Sequence, residues 1–318
     1  MSELIPLDEL AKQKGIGRIT LKRIEDSLGL KYVNELVLFN PEELSERAGI
    51  DIERAERILR IARRLVRPVK ALQASHITEY GKEVLTTGVK GIDELLGGGL
   101  RTSELYEFAG EFGSGKTRLC HQLAVTVQLP VNRGGLGGSA VYIDTEGTFS
   151  SERIVHIAER FSVKEPLESI LYFRPINVVE LEDFVVEELN ALIRDKGVRL
   201  IVIDSIIALY RSQFKGIEWL ARRQQRINYV LDWLKRLSTL YDVVVVYTNQ
   251  VLTQPVPFGV AIKIPAGGNI LAHAATHRFF LRKTRGHIIM EVLDSPRLPY
   301  KATALFVIKN DGLHDYEG

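Results

Sequence analysis

The sequence has a single cysteine, Cys120, so no disulfide can form within the chain, which is typical of proteins from a reducing, intracellular setting. It lacks an apolar run long enough to cross a bilayer, and its first residues carry neither the basic region nor the apolar core of a signal peptide. Its net charge is only +2, so any affinity for nucleic acid has to come from local clusters of cations. We therefore expect a cytoplasmic protein without a membrane segment.

An apolar content of 45% over 318 residues is that of an ordinary globular protein with enough chain for one large and one small domain. Glycines break short, charged helices up to Arg67, and Pro68 then stops the last of them. Strand and helix patterns alternate from Val84 onward. We predict a helical domain over residues 1–67, a linker over 68–83 and an α/β core over 84–318.

A phosphate-binding loop is predicted at residues 110–117, where GEFGSGKT fits the spacing G-x-x-x-x-G-K-[ST] between a strand pattern and a helix pattern. In such a loop, backbone N–H groups and the helix N-terminus surround the phosphates. Lys116 would reach the β- and γ-phosphates, and the Thr117 hydroxyl would hold Mg²⁺. The predicted nucleotide-binding residues here are Gly110, Glu111, Phe112, Gly113, Ser114, Gly115, Lys116, Thr117 and Arg118.

Continuous apolar runs alternate with helical patterns beyond this loop, which predicts a mostly parallel sheet with helices on both faces. Later strand-like stretches with short connections predict antiparallel additions at one edge. The predicted strands span residues 140–144, 170–173, 200–204, 243–248, 276–282, 288–293 and 304–308. The predicted helices span residues 116–127, 151–161, 179–195 and 219–240.

Polar residues that suit phosphate chemistry follow several of these strands. Asp204 ends an apolar strand, the place where a phosphate-loop protein holds Mg²⁺ beside Thr117. Glu146 is a candidate general base for an attacking water, a role that contributes ~10²–10⁴-fold. Gln250 is a candidate sensor of the γ-phosphate. Each position is also compatible with an ordinary turn or a solvent-facing side chain.

Two glycine turns within residues 1–67 resemble each other, one around Gly15 and Gly17 and one around Gly49. Each separates two helical patterns and exposes backbone N–H groups that suit a DNA phosphate oxygen, as in helix-hairpin-helix elements. Basic residues also dominate the helix from Arg54 to the linker. A small helical bundle with glycine turns and a solvated charged face explains the same pattern.

Together, the motifs resemble those of the archaeal RadA and eukaryotic Rad51 recombinases, RecA-like proteins that form filaments on DNA and exchange strands. The resemblance covers nearly the whole chain and is carried by GEFGSGKT, DTEGTF at 144–149, TNQV at 248–251, GGNILAH at 267–273 and LRK at 281–283. It implies a RecA-like ATPase core, ATP and Mg²⁺ as cofactors, and a homo-oligomeric filament or ring on single- or double-stranded DNA at the nucleoid. The catalytic residues implied are Lys116, Glu146 and Gln250, with Thr117 and Asp204 at the metal.

The resemblance also assigns residues around and beyond the phosphate loop. Arg153 would pack against adenine, and His273 would contact the γ-phosphate region across a subunit interface. Asp294 and Pro296 would belong to a cap over the neighbouring subunit's nucleotide. Two segments, residues 210–223 and 250–268, would hold single-stranded DNA through cations and apolar side chains. The DNA contacts expected are Arg211, Lys215, Arg222, Arg223, Phe258 and Lys263, with Gly15 and Gly17 on duplex DNA.

The chain departs from the family pattern at several places. Ala71 stands where the linker tether has a phenylalanine, whose buried ring is worth ~2–3 kcal/mol. FKGIE at 214–218 replaces Arg-Gly-Arg-Gly in the first DNA loop, and YKA at 300–302 replaces acidic residues after the cap. Two hypotheses follow: an active strand-exchange recombinase, or a paralogue that assembles weakly and assists a separate recombinase. A phosphate-loop kinase is a third alternative, but no acceptor pocket is evident.

Overall fold

The computed structural model describes residues 4–66, 82–254 and 262–317. They belong to two compact units, one within Met1–Gly81 and the other within Lys82–Gly318. Most of the predicted linker, including Ala71, lies outside the described residues. Across the described parts of both units, no helix has the length and the apolarity that a membrane span requires.

Residues 4–66 form a helical unit with its own apolar core, in which Leu10, Ile24 and Leu36 are fully buried. A capping box starts its third helix, because Asn40 accepts a hydrogen bond from the Glu43 amide while the Glu43 carboxylate accepts one from the Asn40 amide. The unit begins with a 3₁₀ turn, Leu7–Lys12. Its helices are α1 Arg18–Leu28, α2 Val33–Leu36, α3 Pro41–Ala48 and α4 Ile52–Val66.

The larger unit is built on a nine-stranded sheet in the order β13-β12-β11-β10-β3-β7-β6-β4-β5. The strands from β10 to β5 run parallel, and those from β10 to β13 run antiparallel. This confirms the predicted mostly parallel sheet with antiparallel edge strands. Its strands are β3 Leu105–Gly110, β4 Ser139–Asp144, β5 Ile170–Phe173, β6 Val198–Asp204, β7 Val244–Asn249, β10 His277–Lys283, β11 Ile288–Asp294, β12 Thr303–Lys309 and β13 Gly312–Asp315.

Two short antiparallel pairs stand apart from this sheet. They are β1 Val84–Leu85 with β2 Leu100–Arg101, and β8 Val251–Gln254 with β9 Ile262–Pro265. The second pair directly follows Gln250 and so starts at the carboxyl end of β7. Residues 255–261, between β8 and β9, lie outside the described residues.

Helices cover the sheet, and the central strands β3 and β7 are buried along their whole length. Every position of a central strand that is covered on both faces must be apolar or hydrogen-bonded, which explains the continuous apolar runs. The helices of this unit are α5 Lys90–Leu96, α6 Lys116–Thr126, α7 Ser151–Phe161, α8 Val178–Asp183, α9 Leu189–Lys196, α10 Ala208–Gln213, α11 Leu220–Tyr241 and α12 Gly268–Ala274, with a 3₁₀ turn at Val131–Arg133.

The prediction of one uninterrupted α-helix over residues 179–195 is wrong, although the range is helical. The structure divides it into α8, a π-helical segment Phe184–Glu188, and α9. The Phe184 ring stacks on Phe173 of β5 with their centroids 4.0 Å apart. A π-helical turn is a single local widening of the helix, which apolar periodicity does not reveal.

Candidate functional site

The loop between β3 and α6 has the backbone shape that a phosphate cradle needs. A Cβ on Gly110 would lie 2.5 Å from the Leu281 carbonyl oxygen and 2.6 Å from Ser114 Oγ, so a side chain does not fit there. Gly113 and Gly115 have φ angles of 74° and 93°, a region that L-residues rarely adopt. The helix α6 begins directly after Gly115, so its first amides face the loop.

Lys116 lies inside this loop, where its Nζ donates hydrogen bonds to the carbonyl oxygens of Gly110 and Glu111, both at 2.8 Å. Burial lowers the pKa of Lys116, although the nearby carboxylates of Asp204 and Glu146 act in the opposite direction. The Ser114 hydroxyl is buried without a hydrogen-bond partner among the described residues. The cationic ammonium and the helix N-terminus together fit an anionic ligand such as a phosphate chain.

Lys116 and most of its loop line one open cavity of about 760 Å³. Most of the predicted nucleotide-binding and catalytic residues meet in it, although their roles in binding and hydrolysis stay predictions. The predicted residues that line it are Gly110, Glu111, Phe112, Gly113, Gly115, Lys116, Thr117, Arg118, Glu146, Arg153, Asp204 and Gln250.

Asp204, at the end of β6, is held by hydroxyl groups from the strands on either side. Thr248 Oγ1 donates to Oδ1 at 2.5 Å, and the Tyr142 hydroxyl donates to Oδ2 at 3.0 Å. Burial raises the pKa of Asp204, while hydrogen bonds from Thr248, Thr117 and Tyr142 oppose that rise. The Thr117 hydroxyl and the Asp204 carboxylate therefore lie together, and both are the oxygen ligands that Mg²⁺ prefers. Sequence reasoning missed Tyr142 and Thr248, whose contacts depend on the strand order β4-β6-β7.

The buried carboxylate of Asp144 organises the segment that carries Glu146. Its Oδ1 accepts the backbone N–H groups of Glu146, Gly147 and Thr148 at 3.2, 2.7 and 3.1 Å, and its Oδ2 accepts that of Phe149 at 3.0 Å. These bonds close a tight turn after β4 and direct Glu146 toward the cavity. In the sequence, Asp144 was only an acidic strand end, and the glycine three residues later was the available sign of such a turn.

A chain of hydrogen bonds connects the Glu146 carboxylate to α10. Glu146 Oε1 accepts from Ser205 Oγ at 2.7 Å and from Gln250 Nε2 at 2.8 Å. Gln250 Oε1 in turn accepts from Arg211 Nη1 at 3.0 Å. Arg211 is exposed, so this chain reaches from the surface to the predicted general base.

Comparison with known proteins decides the family. The Rad51 family model matches residues 82–316. The DNA repair and recombination protein RadA of Metallosphaera sedula is 40% identical over 309 residues, which cover 95% of this chain and 94% of the relative. The protein of the same name from Aeropyrum pernix is 38% identical over 321 residues, which cover 98% of each chain. This chain belongs to the Rad51 family. The resemblance seen in the sequence motifs is thereby confirmed.

The loop predicted at residues 210–223 for the first DNA segment is shorter in this Rad51-family chain than predicted, while its binding of DNA stays a prediction. Residues 208–213 form α10 and α11 begins at Leu220, so the loop is limited to residues 214–219. Tyr210, placed in the loop by the prediction, is instead buried in α10, and its hydroxyl donates to Glu182 at 3.1 Å. Of the predicted contacts, Lys215 is exposed in the loop, and Arg222 is exposed on α11 over the Trp219 ring. Arg223 donates to the Phe214 carbonyl at 3.3 Å.

Residues 255–261 of the second predicted DNA segment, including Phe258, lie outside the described residues. Lys263, on β9, forms an ion pair with the Glu111 carboxylate in the phosphate loop. Both side chains of the pair remain partly exposed to solvent. A cation predicted to bind DNA is therefore paired with a residue that lines the cavity.

Other predicted site residues do not line this cavity. His273, Asp294 and Pro296 are exposed and are not among the residues that line it, and each was expected to act on a neighbouring subunit. In the helical unit, Gly15 has a φ of 90° and Gly17 precedes α1 as its N-cap. Gly17 thus marks the start of α1, where the first backbone amides have no partner within the helix, and Gly15 lies in the turn before it.

Proposed function

We propose that this protein binds ATP with Mg²⁺, hydrolyses it in a DNA-dependent reaction, and uses the ATP-bound form to assemble on single-stranded DNA for homologous pairing and strand exchange. The observation that carries the proposal is the meeting of Lys116, Glu146 and Gln250 in one cavity. The names of the relatives, both DNA repair and recombination proteins, support a role in these processes. The protein would act in the cytoplasm, at the nucleoid.

Each residue has a defined task in this proposal. The amides of the loop and the Lys116 ammonium bind the phosphates, and Thr117 with Asp204 would hold Mg²⁺. When bound, the metal neutralises charge on the phosphate oxygens. Glu146 accepts a proton from the attacking water, and Ser205 and Gln250 orient its carboxylate.

Two contacts support a link between DNA and hydrolysis. Arg211 donates a hydrogen bond to Gln250, which in turn donates one to Glu146. Lys263 forms an ion pair with Glu111 in the phosphate loop. Both cations are exposed, so DNA phosphates can compete for them. Binding of DNA would release Gln250 and Glu111 and change the environment of the Glu146 carboxylate.

The helical unit would bind duplex DNA by contacts to the phosphate backbone of the DNA. The amides after Gly15 and Gly17 lie at the start of α1, and the basic residues of α4 are exposed. Deletion of residues 1–67 is expected to weaken duplex binding and to reduce its salt dependence, as measured by titration at several salt concentrations. Equal affinity and equal salt slope in the deleted chain would leave only a structural role for this unit.

A second candidate function is that of a recombination mediator that assembles weakly and assists a separate recombinase as its partner. It is favoured by the loop at residues 214–219, where Ile217 is 86% exposed and Glu218 adds negative charge at the expected DNA contact. In this second hypothesis, Ile217 would contact the partner protein.

Electron microscopy with ATP, Mg²⁺ and single-stranded DNA, together with a DNA-stimulated ATPase assay, tests both functions. Regular filaments with stimulated hydrolysis would support the recombinase. Monomers, rings or short oligomers with weak turnover would favour the mediator. Lys116→Ala is the control that separates ATP-dependent assembly from non-specific aggregation on DNA.

A further inference from the structure

A buried polar cluster lies between β3 and β10, away from the nucleotide cavity. Glu104, Tyr106 and His277 are at most 6% exposed. Tyr106 and His277 are direct neighbours in the parallel pairing of these strands, and their rings stack with centroids 5.0 Å apart. Burial of a polar side chain costs free energy unless the side chain is hydrogen-bonded, so the partners within this cluster have to be identified.

Glu104 is the negative centre of this cluster. Its Oε2 lies 2.9 Å from His277 Nε2 and accepts a hydrogen bond from the Tyr106 hydroxyl at 2.7 Å. Lys82 Nζ donates to its other oxygen at 3.1 Å. Burial raises the pKa of Glu104, but the hydrogen bonds from His277, Tyr106 and Lys82 outweigh it and lower the pKa to about 2. Glu104 is therefore a carboxylate at neutral pH, and the His277 Nε2 atom carries a proton toward it.

The other ring nitrogen of His277 reaches the segment after β11. The Ser295 hydroxyl lies 2.8 Å from Nδ1 and points its hydrogen there, because its lone pairs accept backbone N–H groups. Ser295 Oγ also accepts the backbone N–H groups of Arg297 at 3.2 Å and Leu298 at 2.9 Å. One hydrogen and two lone pairs are thus all used, so this hydroxyl closes a turn and is not a free nucleophile.

A second anchor holds the same turn. The Arg297 guanidinium donates to the Leu96 carbonyl oxygen at the end of α5 and lies 3.5 Å from the Glu104 carboxylate. Ser295 and Arg297 therefore connect the turn to one buried cluster. The residues beside them, Asp294 and Pro296, are exposed.

We propose that His277 is a positioning residue that, through Ser295, holds the turn at residues 294–298 in the shape that presents Asp294 and Pro296 to the nucleotide of a neighbouring subunit. The inference rests on the function proposed above. A turn that is already ordered loses little conformational entropy when subunits assemble around ATP, so a lower ATP concentration suffices. The effect concerns ATP-dependent assembly and not the chemical step.

Ser295→Ala tests the proposal without disturbing the buried core. We expect faster hydrogen exchange at the Arg297 and Leu298 amides, and an increase in KM for ATP of about fivefold, the effect of one ordinary hydrogen bond, with kcat unchanged. Ser295→Thr keeps the hydroxyl and should behave as wild type. Thr239→Ala is a matched control, because it removes a hydroxyl-to-backbone bond on α11, far along the chain from the turn.

The outcomes are distinct. Wild-type exchange rates and wild-type KM in Ser295→Ala, measured beside an active parent, would overturn the inference and leave the proposed function intact. A parent that does not hydrolyse ATP would instead overturn the proposed function. A fall in kcat with unchanged KM would also count against a positioning role, because it would place Ser295 in the chemistry. His277→Leu should move exchange and KM in the same direction as Ser295→Ala.

Discussion

Polar groups at the two ends of the strand pair β3 and β10 differ in their hydrogen bonding. At the carboxyl ends, next to Gly110 and Leu281, the Lys116 ammonium lines the cavity and, among the described residues, hydrogen-bonds only to loop carbonyls. At the amino ends, Glu104 and His277 are buried with their hydrogen bonds formed. One end therefore has the features of the proposed ligand site, while the hydrogen bonds at the other end reach a neighbouring turn.

Lys116→Ala is the strongest test of the proposed ligand site. Without the ammonium, the loop cannot balance the phosphate charge, and we expect ATP turnover to fall by about 10³-fold or more. Steady-state ATPase assays with saturating single-stranded DNA measure this directly. Unchanged turnover would show that this loop does not bind ATP, and the contrast between the two strand ends would then fail.

Glu146→Gln separates binding from chemistry at the same end. The amide keeps the size of the side chain but cannot accept the proton of water, so hydrolysis should slow by ~10²–10⁴-fold while ATP still binds. A fluorescent ATP analogue reports binding, and single-turnover assays report hydrolysis. If binding is lost as well, Glu146 supports the nucleotide and is not the base.

His121 is an exception that sharpens the comparison, because this fully buried histidine of α6 has no hydrogen-bond partner for either ring nitrogen among the described residues. Burial and the nearby Arg118 and Arg153 lower its pKa from 6.5 to about 4. The unfolded state therefore binds more protons between these values, and the free energy of unfolding should fall as the pH falls from 6.5 to 4, by up to about 3 kcal/mol.

Chemical denaturation across this pH range, compared between the parent and His121→Phe, measures the effect. The phenylalanine ring can pack in the same place, beside Tyr142 and Phe149, and should flatten the pH dependence. His156→Gln, at an exposed position on α7, is the control that should leave the slope unchanged. A slope that persists in His121→Phe would assign the effect to other groups.

The smallest effects are expected from the two exposed cations near the cavity. Lys263→Ala removes both the ion pair with Glu111 and one proposed DNA contact, so the salt dependence of single-stranded DNA binding should decrease by about 0.7 in slope.

Arg211→Ala should reduce the stimulation of hydrolysis by DNA through loss of the bond to Gln250. Lys235→Ala, on α11 and far from both cations in the chain, should change neither quantity.

The sequence alone determined the features that depend on short spacing. The loop from Gly110 to Thr117, the apolar strand ending at Asp204 and the family motifs are each contained in a few consecutive residues, where backbone geometry dictates the residue types. The same reasoning extended the loop predicted at residues 210–223 into two helices and missed the π-helical segment at Phe184–Glu188. Both depend on packing against other elements, which local patterns do not encode.

Only the tertiary structure decided which distant polar groups meet. Thr248 reaches Asp204 because β7 lies beside β6, and Arg211 reaches Gln250 across 39 positions of the chain. Glu104 and His277 are 173 positions apart and meet because β3 and β10 pair in parallel. Hydrogen bonds act over about 3 Å, so the order of the strands, which local sequence patterns do not encode, selects these partners.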